Sequence, residues 1–199
     1  MKKNLLFILV ASFIGFTSCT KTEDASIMKY ENSGFISGTI KGLSADSVSL
    51  NENFKFTSII KNDYLNKYSN TVSSVTINVG ETLYPAYKFN ISRMIDGVGS
   101  MNFTFYTFDN SSQVLTGLFY NNIASFNLSY YKELGNGTVL NYNVNQSNLQ
   151  GNSLSVAIMF PEFNYNEKTG LVSGTYSIGV SKKTTIVGSF STTVYKIKN

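Results

Sequence analysis

Beyond about residue 30 the chain alternates apolar and polar side chains with a period of two, the pattern of strands that bury one face. In Met101–Phe108, Met101, Phe103 and Phe105 share one face, while Asn102 and Thr104 take the other. Leu154–Phe160 groups Leu154, Val156, Ile158 and Phe160; Ile123–Tyr131 groups Ala124, Phe126, Leu128 and Tyr130. Thr185–Ile197 alternates with β-branched residues throughout. Turn-forming clusters separate these runs: Asp96-Gly97, Asn110-Ser111-Ser112, Gly135-Asn136-Gly137, Gln150-Gly151-Asn152 and Asn166 to Gly170. The pattern predicts strands at 34–41, 46–50, 53–60, 72–79, 84–93, 99–108, 113–121, 123–131, 137–145, 153–160, 171–180 and 185–197. No sustained helical stripe occurs, and 61–70 is the best place for a short helix or long loop. The two prolines, Pro85 and Pro161, are expected at strand edges or ends.

Many short strands without helices define an all-β fold. The expected architecture is an antiparallel β-sandwich, jelly-roll or immunoglobulin-like, with a lipocalin-like β-barrel as the alternative. The Cys…Trp…Cys hallmark of true immunoglobulin domains is missing, because the chain has no Trp and one Cys. A lipid-spanning barrel is disfavoured by the Asn- and Ser-rich polar faces. One internal echo stands out: Gly34-Phe-Ile-Ser-Gly-Thr-Ile40 matches Gly170-Leu-Val-Ser-Gly-Thr-Tyr176. It reads either as two related units on opposite sides of a pseudo-symmetric sandwich or as a coincidence of abundant Gly, Ser and Thr.

Composition sharpens the strand reading. Hydrophobic residues make up 42% of the 199 residues and charged residues only 14%, well below the usual quarter of charged residues. The polar balance is carried by Ser, Thr and Asn, which suit exposed strand faces better than helices. The net charge of +4 includes Lys2 and Lys3, whose loss leaves fourteen basic against twelve acidic residues. That balance is too weak for a nucleic-acid partner.

The N-terminus departs from this pattern. Lys2 and Lys3 precede an apolar run from Leu5 to Phe16, then Thr17, Ser18 and Cys19. This is the layout of a secretory signal peptide, and the run is shorter than the ~20 residues of a spanning helix. Phe16-Thr17-Ser18-Cys19 resembles the lipobox of bacterial lipoproteins, with Phe where Leu is preferred. The resemblance implies cleavage between Ser18 and Cys19 and lipidation of the Cys19 thiol. Acylation would account for the lone cysteine, and two acyl chains anchor firmly. Lys21-Thr22-Glu23-Asp24 is similar to the surface-export signals of Bacteroidota lipoproteins. The expected organisation is therefore a signal peptide at 1–18, a lipidated cysteine and tether at 19–30, and one domain at 31–199. The layout resembles uncharacterised Bacteroidota-type surface lipoproteins, which implies the outer membrane, with the cell surface or its periplasmic face as destination.

Candidate chemistry is sparse. The sequence has no histidine, which removes Ser-His-Asp catalysis and histidine-based zinc sites. Cys19 is assigned to lipid, and neither a P-loop nor a dinucleotide fingerprint occurs. The remaining catalytic option is a carboxylate pair drawn from Glu31, Asp46, Glu52, Asp63, Glu81, Asp96, Asp109, Glu133, Glu162 and Glu167; solvated turns are the better assignment for most of them. Tyr64, Tyr68, Tyr84, Tyr87, Tyr106, Tyr120, Tyr130, Tyr131, Tyr142 and Tyr165 could line a binding face or cover the core edge. Asp46-Ser47-Val48 resembles the acceptor motif of Bacteroidota O-glycosylation, which would place a glycan on Ser47. The Asn-x-Ser/Thr triplets at Asn90, Asn102, Asn110, Asn127 and Asn136 read as compositional.

No catalytic residue, cofactor or metal ligand is therefore expected. The function expected is a non-catalytic, membrane-anchored binding or accessory module for a glycan or protein partner. The alternatives are a structural subunit of an outer-membrane uptake complex and a carboxylate-based glycan hydrolase.

Overall fold

A computed structural model of the chain describes residues 34–43, 49–59, 70–79, 81–108, 125–133, 139–145, 158–181 and 183–197. The described residues form eleven strands: β1 (Phe35–Leu43), β2 (Ser49–Phe56), β3 (Thr71–Val79), β4 (Thr82–Ile95), β5 (Gly99–Phe108), β6 (Ser125–Glu133), β7 (Val139–Asn145), β8 (Ile158–Asn166), β9 (Leu171–Ser181), β10 (Thr184–Thr193) and β11 (Tyr195–Ile197). They make a five-stranded sheet, β2-β1-β10-β9-β8, and a six-stranded sheet, β11-β3-β4-β5-β6-β7. The sheets pack face to face as a β-sandwich and do not close into the alternative barrel. All pairings are antiparallel except β11 with β3, which is parallel.

Alternation builds the core as expected. Met101, Phe103 and Phe105 on β5 are buried, as are Phe126, Leu128 and Tyr130 on β6. Aromatic rings from both sheets meet between them: Phe103 lies 4.9 Å from Tyr176, and Phe105 lies 4.7 Å from Phe160. Full burial of one such side chain contributes about 1.5–3 kcal/mol. Tyr176 fits because its register row holds Gly38 on β1 and Gly188 on β10. Its hydroxyl donates to the Ser37 carbonyl at 3.0 Å.

Several boundaries depart from the sequence pattern. The expected strands 46–50 and 53–60 merge into β2, because Glu52 takes the inward-parity position between Leu50 and Phe54. Of the expected strand 153–160, residues 153–157 lie outside the described residues, and β8 runs from Ile158 on to Asn166. A bulge between Met159 and Glu162 keeps Phe160, Phe163 and Tyr165 packed against the core with Pro161 and Glu162 exposed. Pro161 thus sits on an edge strand, as expected. Pro85 lies in β4 just before the register with β5 begins at Ala86↔Phe108.

The expected strand 185–197 splits at Val194, where the chain crosses from the five- to the six-stranded sheet. The Val194 amide donates to the Gly170 carbonyl and the Tyr195 amide to the Asn70 carbonyl, both at 2.9 Å. Gly170 has φ of +70°, which favours glycine there. The two halves of the Gly-Ser-Gly-Thr echo fall on β1 and β9. Both flank β10 in the same sheet, which corrects the reading of them as counterparts across the sandwich. Residues 113–121, and 61–69 of the expected helix or loop, lie outside the described residues.

The chain's only arginine, Arg93, is fully buried in the interior. It occupies the inward position after Ile91 on β4. Its guanidinium donates to the Thr57 carbonyl at 3.0 Å and to the Thr192 hydroxyl, tying the two sheets together. Gly34 leaves room for it: a Cβ there would lie 2.3 Å from Nη2 of Arg93.

Candidate functional site

Strand parity gives the six-stranded sheet an outer face of its own. On β4 the outward positions include Tyr84, Lys88, Asn90, Ser92 and Met94; on β5 they are Ser100, Asn102, Thr104, Tyr106 and Phe108. Ser125, Asn127, Ser129 and Tyr131 on β6, with Asn141 and Asn143 on β7, continue the surface. Register aligns them in rows across the strands. One row runs Ser92–Asn102–Asn127 and the next Met94–Ser100–Ser129–Asn143.

Three of the five Asn-x-Ser/Thr triplets mark this face; those at Asn110 and Asn136 lie outside the described residues. In Asn90-Ile91-Ser92, Asn102-Phe103-Thr104 and Asn127-Leu128-Ser129 the first and third residues point outward around a buried apolar residue. These three triplets are the imprint of a polar strand face on the sequence. An extended chain returns to the same face every second residue, so such a triplet places an amide beside a hydroxyl.

Several amides are held in place. Thr104 Oγ1 donates to Asn90 Oδ1 at 3.0 Å, and Asn90 Nδ2 donates to Thr71 Oγ1 at 3.2 Å. Asn143 Nδ2 donates to Asn141 Oδ1 at 2.6 Å. At one end of the face an open hollow of about 540 Å³ is lined by Met94, Ile95, Val98, Ser100, Tyr131 and the Asp96-Gly97 turn. The Tyr131 amide donates to the Val98 carbonyl at 2.7 Å, which fixes the tyrosine beside the turn. At the opposite end Tyr84 and Phe108 meet edge to face, with ring centroids 5.5 Å apart.

The candidate tyrosines separate into two groups. Tyr84, Tyr106 and Tyr131 lie on this outer face. Tyr87, Tyr130, Tyr142 and Tyr165 belong to the core or its edge. Burial raises the phenol of Tyr130, aided by the Glu52 charge, and that of Tyr165, aided by the Glu167 charge. Tyr142 is pushed up to about 12 by burial alone. Tyr64, Tyr68 and Tyr120 lie outside the described residues.

The described carboxylates are dispersed. Glu52 pairs with Lys132 at 2.6 Å, and Glu167 pairs with Lys196. Glu133 accepts from the Tyr131 hydroxyl at 3.4 Å. Glu162 is on β8, while Glu81 and Asp96 occupy turns. Among the described residues no group of three or more His, Cys, Asp or Glu side chains could hold a metal. Glu31, Asp46, Asp63 and Asp109 lie outside the described residues, as do Ser18, Cys19 and Ser47. No helix among the described residues is long and apolar enough to cross a membrane. Comparison with family models, curated proteins and solved structures finds no match for this chain.

The face can do one thing well. An amide offers donors and an acceptor together, and a hydroxyl offers both in one group. Rows of them beside an apolar hollow can hold a ligand that is polar at its edges and apolar on its faces.

Proposed function

We propose that the chain is a non-catalytic lipoprotein, anchored to the outer membrane through Cys19 and carrying its sandwich on the cell surface as a binding or accessory module. The observation that carries the binding reading is the outer face of the six-stranded sheet, with its oriented amides and the adjoining hollow. The lipobox-like Phe16-Thr17-Ser18-Cys19 supports the anchor. A second reading, a structural subunit of a larger membrane complex, draws on the β3–β4 hairpin. There Leu83 is 67% exposed and Tyr84 40% exposed, an apolar tip available to a neighbouring subunit.

Mass spectrometry of the mature N-terminus tests the anchor. The expected species begins at Cys19 and carries acyl chains. An intact precursor with unmodified Cys19 would overturn the lipoprotein reading. Protease treatment of whole cells tests the location: a surface module is degraded without breaking the cells, whereas full protection places it on the inner side.

A further inference from the structure

We infer that the outer face of β4–β7 binds an uncharged polysaccharide, laid across the strands with a sugar unit in the hollow at the β4–β5 turn. This rests on the binding-module reading above and names its ligand.

Charge is the first argument. Among the outward positions of β4–β7 only Lys88 and Glu133 are charged, one of each sign, and the hollow adds the Asp96 carboxylate. A polyanion needs a cluster of cations to neutralise it, and this face has none to offer. Asn90, Asn102, Asn127, Asn141 and Asn143 instead present amides, with Ser92, Ser100, Thr104 and Ser129 between them. The complement of such a surface is a neutral polyol.

Geometry is the second. Neighbouring strands are ~4.8 Å apart, so each register row offers a polar side chain at intervals on the scale of one sugar ring. The row Ser92–Asn102–Asn127 and the row Met94–Ser100–Ser129–Asn143 run side by side, two tracks for a chain crossing the strands. The bond from Asn143 Nδ2 to Asn141 Oδ1 orients both amides and leaves the Asn143 oxygen and the Asn141 nitrogen for a ligand. Pre-oriented groups lose less entropy on binding than mobile ones.

The hollow is the third. Met94, Ile95, Val98 and the Tyr131 ring give it apolar walls, while Asp96 and Ser100 add polar groups. It is shallow and open to solvent, so a sugar unit can reach it without rearrangement of the strands. Sugar rings have apolar C–H faces and polar rims, which this mixture of walls suits.

Affinity electrophoresis of the detergent-solubilised lipoprotein tests the inference. Gels would contain a mixed-linkage glucan, a mannan or a dextran, with polygalacturonate and chondroitin sulfate as anionic controls. Retardation is expected with at least one neutral polymer and with neither anionic one. It should persist at about 0.5 M sodium chloride, where charge attraction is screened within a few ångströms. The double variant Asn102→Ala/Asn127→Ala and the single variant Tyr131→Ala should each bind about tenfold more weakly. Thr185→Ala, exposed on the other sheet, should bind like the parent, and circular dichroism should show every variant folded.

Absence of retardation by every neutral polymer overturns the inference. So does unchanged binding in folded Asn102→Ala/Asn127→Ala and Tyr131→Ala variants. Salt-sensitive retention by the anionic polymers alone overturns the uncharged ligand and leaves the binding-module reading standing. Shortening of a polymer by the protein, read by size-exclusion chromatography, overturns the non-catalytic reading itself.

Discussion

At the scale of single residues, the interior is most sensitive where backbone and ring meet. A Cβ at Gly188 would lie 2.0 Å from the Ser37 carbonyl oxygen, and 2.6 Å from the Tyr176 hydroxyl. At Gly179 a Cβ would meet nothing within 4 Å among the described residues. Gly188→Ala should therefore lower stability by about 1–3 kcal/mol, because β1 and β10 must move apart. Gly179→Ala should leave it level or raise it by about 0.5 kcal/mol, since glycine is the costlier residue in a strand. Urea denaturation of the two variants is the comparison; equal losses would refute the packing argument. Arg93→Met keeps side-chain bulk but removes the donors to the Thr57 carbonyl and the buried Thr192 hydroxyl. A loss of about 1–3 kcal/mol is expected from the carbonyl and hydroxyl left without a donor, again from the denaturation midpoint. A midpoint equal to the parent's would show that the two sheets do not depend on this link.

At the scale of elements, the two seams of the sandwich are closed in the same way. Lys132 on β6 reaches Glu52 on β2, with Tyr130 alongside, and Lys196 on β11 reaches Glu167 after β8. The Lys196 ammonium also lies 5.5 Å from the centre of the Tyr87 ring. Lys196, by hydrogen bond and charge, holds the Glu167 carboxyl below its ordinary range, and the hydrogen bond to Glu167 holds Lys196 above its own. A lowered carboxyl contributes stability above its unfolded value and loses it as pH falls through the folded one. A raised ammonium contributes below its unfolded value and loses it as pH rises through the folded one. The melting-temperature gap between parent and Glu167→Gln should therefore be constant near neutrality and narrow at both extremes. Both groups face solvent, so about 1 M salt should close the gap as well. A gap indifferent to pH and salt would mean that packing, not charge, sets it.

The same elements show what the sequence could convey. Strands β5, β6 and β7 follow from alternation, because Met101, Phe103 and Phe105, then Phe126, Leu128 and Tyr130, then Tyr142 and Val144 are buried at every second position. Glu52 interrupted that alternation by reaching for a partner 80 positions away, so one strand read as two. The bulge at Pro161 and Glu162 shifts the phase within β8 and hid its second half. The crossing at Val194 leaves the phase intact: Phe190, Thr192 and Val194 are all buried, although the chain changes sheet. Nothing local can announce such a change. The site was legible only in part. Parity joins Asn102, Thr104, Asn127 and Ser129 to a face, but their alignment into rows and the hollow beside Tyr131 depend on the register of β4 to β7.

At the scale of the whole molecule, buried phenols link folding to pH. Burial is the largest cause of the raised phenols of Tyr130, Tyr142, Tyr165 and Tyr176, and for Tyr142 it pushes the value up to about 12. An unfolded phenol ionises near 10. Above that pH the unfolded chain releases protons that the folded chain retains, so stability should be level below pH ~10 and fall as pH rises toward the folded values. The four phenols should ionise together with loss of the fold, giving a cooperative step in phenolate absorbance that coincides with loss of the strand signal in circular dichroism. Tyr142 separates this cause from general alkaline damage. Its hydroxyl is buried with no hydrogen-bond partner among the described residues, so Tyr142→Phe should raise stability at neutral pH by about 1 kcal/mol. The variant should also lose less stability above pH 10, because one buried acid is gone. If Tyr142→Phe is less stable than the parent at neutral pH, its hydroxyl has a partner that matters; if the alkaline slope is unchanged, the phenol does not drive it.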